Sequence, residues 1–113
     1  MSILSELNTL FESLNLPVET GVFSNKPPEK YIVLTPIADI FELFADNKPQ
    51  YDIHEVRISL FSQKNYLETK NRVVSALLEA GFTITLRKYI SRDDDTGYHH
   101  FAIDVAKEYE MEE

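Results

Sequence analysis

Three consecutive aspartates and two adjacent histidines fall within "SRDDDTGYHH" at 91–100, the one stretch of this chain whose residue types resemble a metal site. A hard cation held by Asp93, Asp94 and Asp95 needs converging carboxylates, and zinc held by His99 and His100 needs both rings on one side of the backbone. Whether these residues can converge depends on the elements that carry them.

Those elements form a hairpin. "FTITLRKYI" and "YHHFAIDVA" both alternate in the manner of half-buried strands, and "SRDDDTG" joins them. On a strand, adjacent side chains point to opposite faces. His99 therefore shares a face with Phe101, Ile103 and Val105, and His100 shares the other with Tyr98, Ala102 and Asp104. The two rings cannot chelate one ion. Asp and Gly are ordinary hairpin-loop residues, and the spaced acidic ligands and distal Glu of an EF-hand are missing, so the aspartates read as a solvated turn. A site combining His54 with His99 would require their strands to be neighbours and a carboxylate to converge on both. The chain has no cysteine, no G-x-S-x-G elbow and, with only 3 glycines, no phosphate-binding loop. No catalytic residue, metal site or cofactor is expected, and the chain does not read as an enzyme.

Composition narrows the partners. In 113 residues, 19 acidic against 11 basic side chains give a formal net charge of -8, which opposes tight binding to phosphates. The 7 Phe and 6 Tyr mostly lie on apolar stripes, where a core role is expected in place of base stacking. With 43% hydrophobic residues the chain suits one domain, 1–113. The last residues of the terminal "KEYEMEE" are expected to fray. "MSILSELNTLF" lacks the features of a signal peptide, and no apolar run approaches the length of a membrane span, so neither export nor a membrane partner is expected.

Spacing predicts the remaining elements. Ile3, Leu7, Leu10, Phe11 and Leu14 mark a helix over 2–15 with Ser2 as its N-cap. Residues 17–23 alternate as a strand, and "YIVLT" at 31–35, apolar on both faces, reads as a central one. The segment 37–46 fits both helical spacing and strand alternation, and "ADNKPQ" is a turn. From Asp52 to Ser62, His54, Val56, Ile58 and Leu60 alternate with Glu55, Arg57 and Ser59. A second helix over 66–80 has Asn65 as N-cap, Glu68 in the capping box, Gly81 as terminator and a stripe of Tyr66, Val73, Val74, Leu77 and Leu78. The sum is an α+β domain, a mainly antiparallel sheet with both helices on one face, in the order α-β-β-β-β-α-β-β. The other face, with Glu55, Arg57, Ser59, Arg87 and Tyr89, is left for water or a partner.

Three stretches in order, "PPEKYIVL" at 27–34, "LFADNKPQYDIHEVRISLFSQKN" at 43–65 and the capped helix running into "LLEAGFTI" at 77–84, together with the closing hairpin, resemble the small tail completion proteins of long-tailed phages and prophages, also called tail terminator or head-tail joining proteins. The resemblance implies a protomer that forms a ring, commonly hexameric, on the last ring of the tail tube, stops tube growth and meets the head connector. It implies action in the host cytoplasm during assembly and then in the virion tail, with DNA only passing through the lumen. It also implies that 37–46 is loop and short strand, not helix. Such proteins work through interfaces, so the candidate contact residues follow from expected exposure: Asp46, Asn47 and Lys48 in one turn, Glu55, Arg57, Arg87 and Tyr89 on the uncovered face, and Arg92, Asp93, Asp94 and Asp95 at the hairpin tip. Six copies at -8 each bring about -48 charges to such a ring, and carboxylates such as Asp46, Asp93, Asp94 and Asp95 along the lumen would repel DNA instead of trapping it. Replacing Asp93, Asp94 and Asp95 is then expected to disturb assembly before folding. The alternative is a cytoplasmic protein-binding or regulatory module of the same fold, unrelated to phages.

Overall fold

A computed structural model describes residues 2–20, 28–45 and 48–110, with backbone alone for 39–45 and 48–51. Asp46, Asn47, residues 21–23 of the first expected strand and the last three residues of the expected frayed tail lie outside the described residues. The elements are α1 (Ile3–Ser13), β1 (Val18–Thr20), β2 (Lys30–Ala45), β3 (Lys48–Ser62), α2 (Tyr66–Glu79), β4 (Thr83–Arg92) and β5 (His99–Glu110). Five strands form one sheet in the order β1-β2-β3-β5-β4, with β1 parallel to β2 and every other neighbouring pair antiparallel. The class is α+β, as expected.

Alternation along β3 decides which face is covered. Val56, Ile58 and Leu60 are 1%, 0% and 0% exposed. Their register partners Leu34 and Ile32 on β2, and Ile103 and Val105 on β5, belong to the same core cluster. Leu7 and Phe11 of α1 and Val73 and Leu77 of α2 close that cluster from above, so both helices lie on one face. Ser2 Oγ accepts from the Ser5 amide (3.1 Å) and Asn65 Oδ1 from the Glu68 amide (3.2 Å), the two N-caps expected. Gly81 at φ 87 and Asn15 at φ 59 turn the chain out of the helices through left-handed backbone. The α2 stripe is rotated from expectation: Thr69 is 2% exposed and Leu78 is 59% exposed, because Thr69, Val73 and Leu77 follow one another at four-residue steps while Leu78 lies a further 100° round.

Two expectations change. Residues 31–35 and 37–46 are not separate elements: β2 runs unbroken from Lys30 to Ala45, so there is one strand fewer and no intervening loop. The pairing of β2 with β3 shifts between Pro36 and Ala38, and this bulge lets a residue without an N–H stay in the strand, beyond the last β1–β2 pair among the described residues. Lys107–Glu110 continue β5 opposite Tyr51–His54. Lys107 also joins the layers: its ammonium donates to Glu6 Oε2 of α1 (2.8 Å) and to the Ala80 carbonyl at the end of α2 (3.3 Å), and lies 4.6 Å above the Phe82 ring. A cation at a helix C-terminus and a carboxylate in a first helical turn both complement the backbone dipoles.

Burial predicts a contrast. Phe11→Ala should lower the unfolding free energy by about 3–5 kcal/mol through lost burial and the cavity left behind, whereas Leu78→Ala should stay within about 0.5 kcal/mol. Equilibrium denaturation of the two variants checks this, and equal losses would contradict the placement of α2.

Candidate functional site

The aspartate-histidine stretch is built as a turn. Asp93 Oδ1 accepts from the amides of Asp95 (2.9 Å) and Thr96 (3.3 Å), while its backbone N–H donates to the Tyr98 carbonyl (2.9 Å) and its carbonyl accepts from Gly97 (2.7 Å). Gly97 sits at φ 80 and allows the chain to re-enter β5. Gln63 braces the loop from the end of β3 by donating to the Thr96 carbonyl. Asp94 pairs with Arg92 (3.1 Å) with its side chain 95% exposed. Among the described residues no three His, Cys, Asp or Glu side chains converge as metal ligands.

The histidines separate as strand geometry requires. His99 lies under α2, its Nδ1 2.9 Å from the Tyr89 hydroxyl and its ring 4.9 Å from Tyr66. His100 lies on the opposite face, 4.4 Å from the Phe61 ring. His54 pairs in register with Lys107, at the far end of β5 from His99, and packs edge-on against Tyr109, so the two histidines cannot share an ion. The Tyr109 hydroxyl is buried beside Glu6, and burial first, then the carboxylate, pushes its pKa up.

The helix-free face carries the organised surface. Register places Tyr31, Phe61 and His100 in one row across β2, β3 and β5, with Tyr31 stacked on Phe61 at 4.9 Å and Phe61 on His100. Tyr98 meets Tyr31 edge-on at 5.4 Å, and its hydroxyl donates to the Pro28 carbonyl. These rings, with Ser91, Asp93 and Thr96, line a cavity of about 270 Å³. The next row, Val33, Ser59 and Ala102, is buried although no helix covers it, because longer side chains flank it on both sides. Beyond it Arg57 grips Asp104 through Nε (2.8 Å) and Nη2 (3.0 Å). That bidentate pair raises the Arg57 pKa, by hydrogen bonding first and charge second. Burial, and then Arg57, lower the His100 pKa below its ordinary value of 6.5.

Arg57 and Glu55 thus occupy the uncovered face as expected, and Lys48 opens β3 opposite Ala45. Arg87 and Tyr89 do not. The β4–β5 register shifts between Ile84 and Leu86, which sets Arg87 opposite Ile103 and Tyr89 opposite Phe101 on the helix side, and a second shift between Tyr89 and Ser91 sets Arg92 opposite His99. The bulge at Thr85 reverses Leu86 to Tyr89 relative to plain alternation, and the second shift restores it for Ser91 and Arg92. The aromatic row was missed for the opposite reason: Tyr31 and Phe61 satisfy the alternation, but on the face that no helix covers.

No family model matches the sequence, and no curated protein matches it. One solved chain shares the arrangement over 100% of this chain and 98% of its own, at a TM-score of 0.47 and 15% identity, a likeness from which no activity transfers. No helix among the described residues is long and apolar enough to cross a membrane.

Two outcomes follow. Asp93→Ala should lower stability by about 1 kcal/mol through loss of the turn's hydrogen bonds, whereas Asp94→Ala and Asp95→Ala should leave the unfolding midpoint unchanged, so only the latter two report on assembly alone. Because the folded state depresses the pKa of His100, its contribution to stability is present above about 6.5 and is lost as pH falls below that value. Denaturation midpoints at pH 7.5 and 5.5 should therefore drop less in His100→Phe than in the parent, and equal drops would mean that His100 is not held neutral.

Proposed function

We infer that this chain is a structural assembly protein of a phage or prophage tail, one that caps the tail tube and joins tail to head by forming a ring, with no catalytic step of its own. The observation that carries the reading is the one-sided sheet: the face without helices bears the row Tyr31–Phe61–His100 and the Arg57–Asp104 pair, and residues at both edges of the sheet stay exposed. Principal extents of 54 × 24 × 23 Å suit a protomer that reaches past its neighbour more than one that encloses a substrate. The ordered motifs at 27–34, 43–65 and 77–84 support the particular role.

In this reading the partners are further copies of the chain, commonly six, together with the tail-tube protein and the head connector. DNA passes through the lumen without being bound. The protein acts in the host cytoplasm during assembly and then in the virion tail.

The test is addition of the purified chain to polymerising tail-tube protein from the same genetic neighbourhood. The chain should copurify with tube ends and stop elongation. Tubes that grow to the same length with and without it, and retain none of it, would sink the reading.

A further inference from the structure

The two edges of the sheet differ in charge and lie at different heights. β4 is an outer strand of 10 residues, nine of them exposed and the other, Ile84, half-buried; it carries Arg87, Lys88 and Arg92 and no acidic residue. On the opposite side β1 pairs only with Ile32, Val33 and Leu34, so among the described residues β2 is itself the outer strand over 36–45, a stretch of the same length that carries Asp39 and Glu42 and no basic residue. Apolar side chains stand exposed at both edges: Ile37 at 48% on β2, and Leu86, Tyr89 and Ile90 at 36%, 40% and 41% on β4. A long unpaired edge with exposed apolar residues is a template for another strand.

Resting on the assembly reading above, we propose that β4 of one copy pairs with residues 36–45 of the next, so that the sheets of successive copies join edge to edge into one continuous belt. Two features select this pairing. Edges of like charge repel, so β4 against β4 sets cations against cations and β2 against β2 sets carboxylates against carboxylates; only the unlike edges attract. Direction also fits: β2 is antiparallel to β3, and β3 and β4 are both antiparallel to β5, so β4 is antiparallel to β2. Copies related by rotation about a common axis keep their orientation, and the junction is an antiparallel ladder.

The stagger of the edges sets the tilt of the strands. Thr83 is level with Ala106, Glu55 and Ala38, and Arg92 with His99, Ser62 and Lys30, so β4 stands beside 30–38 while the free stretch of β2 stands beyond it. The centres of the two edges differ by about seven residues, or about 22 Å along the strands, while the repeat from one β2 to the next spans four strands, β2-β3-β5-β4, or about 19 Å. Joining staggered edges around an axis therefore inclines the strands by about 50° to it, a little steeper than the tilt of about 35–45° in closed barrels. The junction is head-to-tail, which is the arrangement that generates rings.

Carbodiimide treatment of the concentrated chain tests the contact directly. Lys88 and Asp39 or Glu42 stand on opposite edges of one protomer, about 14 Å apart across three strand spacings and further apart along the strands, since Lys88 is level with Val33, so a zero-length cross-link between them must join two copies. The expected result is a ladder of multimers with those peptides joined in the mass spectrum. The ladder should be lost in Arg87→Glu/Lys88→Glu/Arg92→Glu, lost in Asp39→Lys/Glu42→Lys, and recovered when the two variants are mixed in equal amounts, which also shows that both fold. If the chain oligomerises and the β4 variant does so equally, another surface builds the ring: edge pairing falls and the assembly reading stands. If no cross-link forms at millimolar concentration, edge pairing falls as well, and the tube-capping experiment decides the assembly reading separately.

Discussion

The architecture depends on a single constraint, the period of two along β3. Because Val56, Ile58 and Leu60 all turn to one side, one face of the central strand must be removed from water, and only the amphipathic helices can do it. Neighbouring strands inherit that choice through register, since residues opposite one another share a face. The placement of α1 and α2, the burial of Val73 and Leu77, and the use of Lys107 to tie Glu6 to the end of α2 all follow from the side β3 selects.

The same constraint creates the surface available for function. Both helices are spent on one face, so the other has to stabilise itself with what its strands carry. Stacked rings at one end, a bidentate Arg57–Asp104 pair further along and small residues between them give it rigidity without a covering layer. Such a face is ordered, polar at its rim and open. At the hairpin tip the first aspartate is occupied by backbone amides, and the two adjacent histidine rings diverge to opposite faces.

Local patterns were legible where a single periodicity acted alone. Ser2 and Asn65 were readable as caps because a cap needs only its own next turn, and the divergence of His99 and His100 was readable because it needs only two adjacent residues on a strand. The segment 37–45 was not settled by spacing, since its apolar residues satisfy both periods. Pairing with β3 settles it, because the register from Ala38 opposite Glu55 to Ala45 opposite Lys48 holds the segment in the sheet. Arg87 and Tyr89 were assigned to the wrong face because alternation carries no mark of a bulge.

What the sequence determined by itself, then, is the two helices with their caps, the presence of the strands around them and the α+β class, because each follows from hydrophobic period and turn chemistry within a few residues. Tertiary structure alone decided the strand order β1-β2-β3-β5-β4, the unbroken run of β2, the reversal at Thr85 and the Lys107 clamp, whose ammonium and carboxylate are 101 residues apart in the chain. The physical reason is common to all four. Each depends on a partner that is distant in sequence, and periodicity records which way a side chain points without recording what lies opposite it.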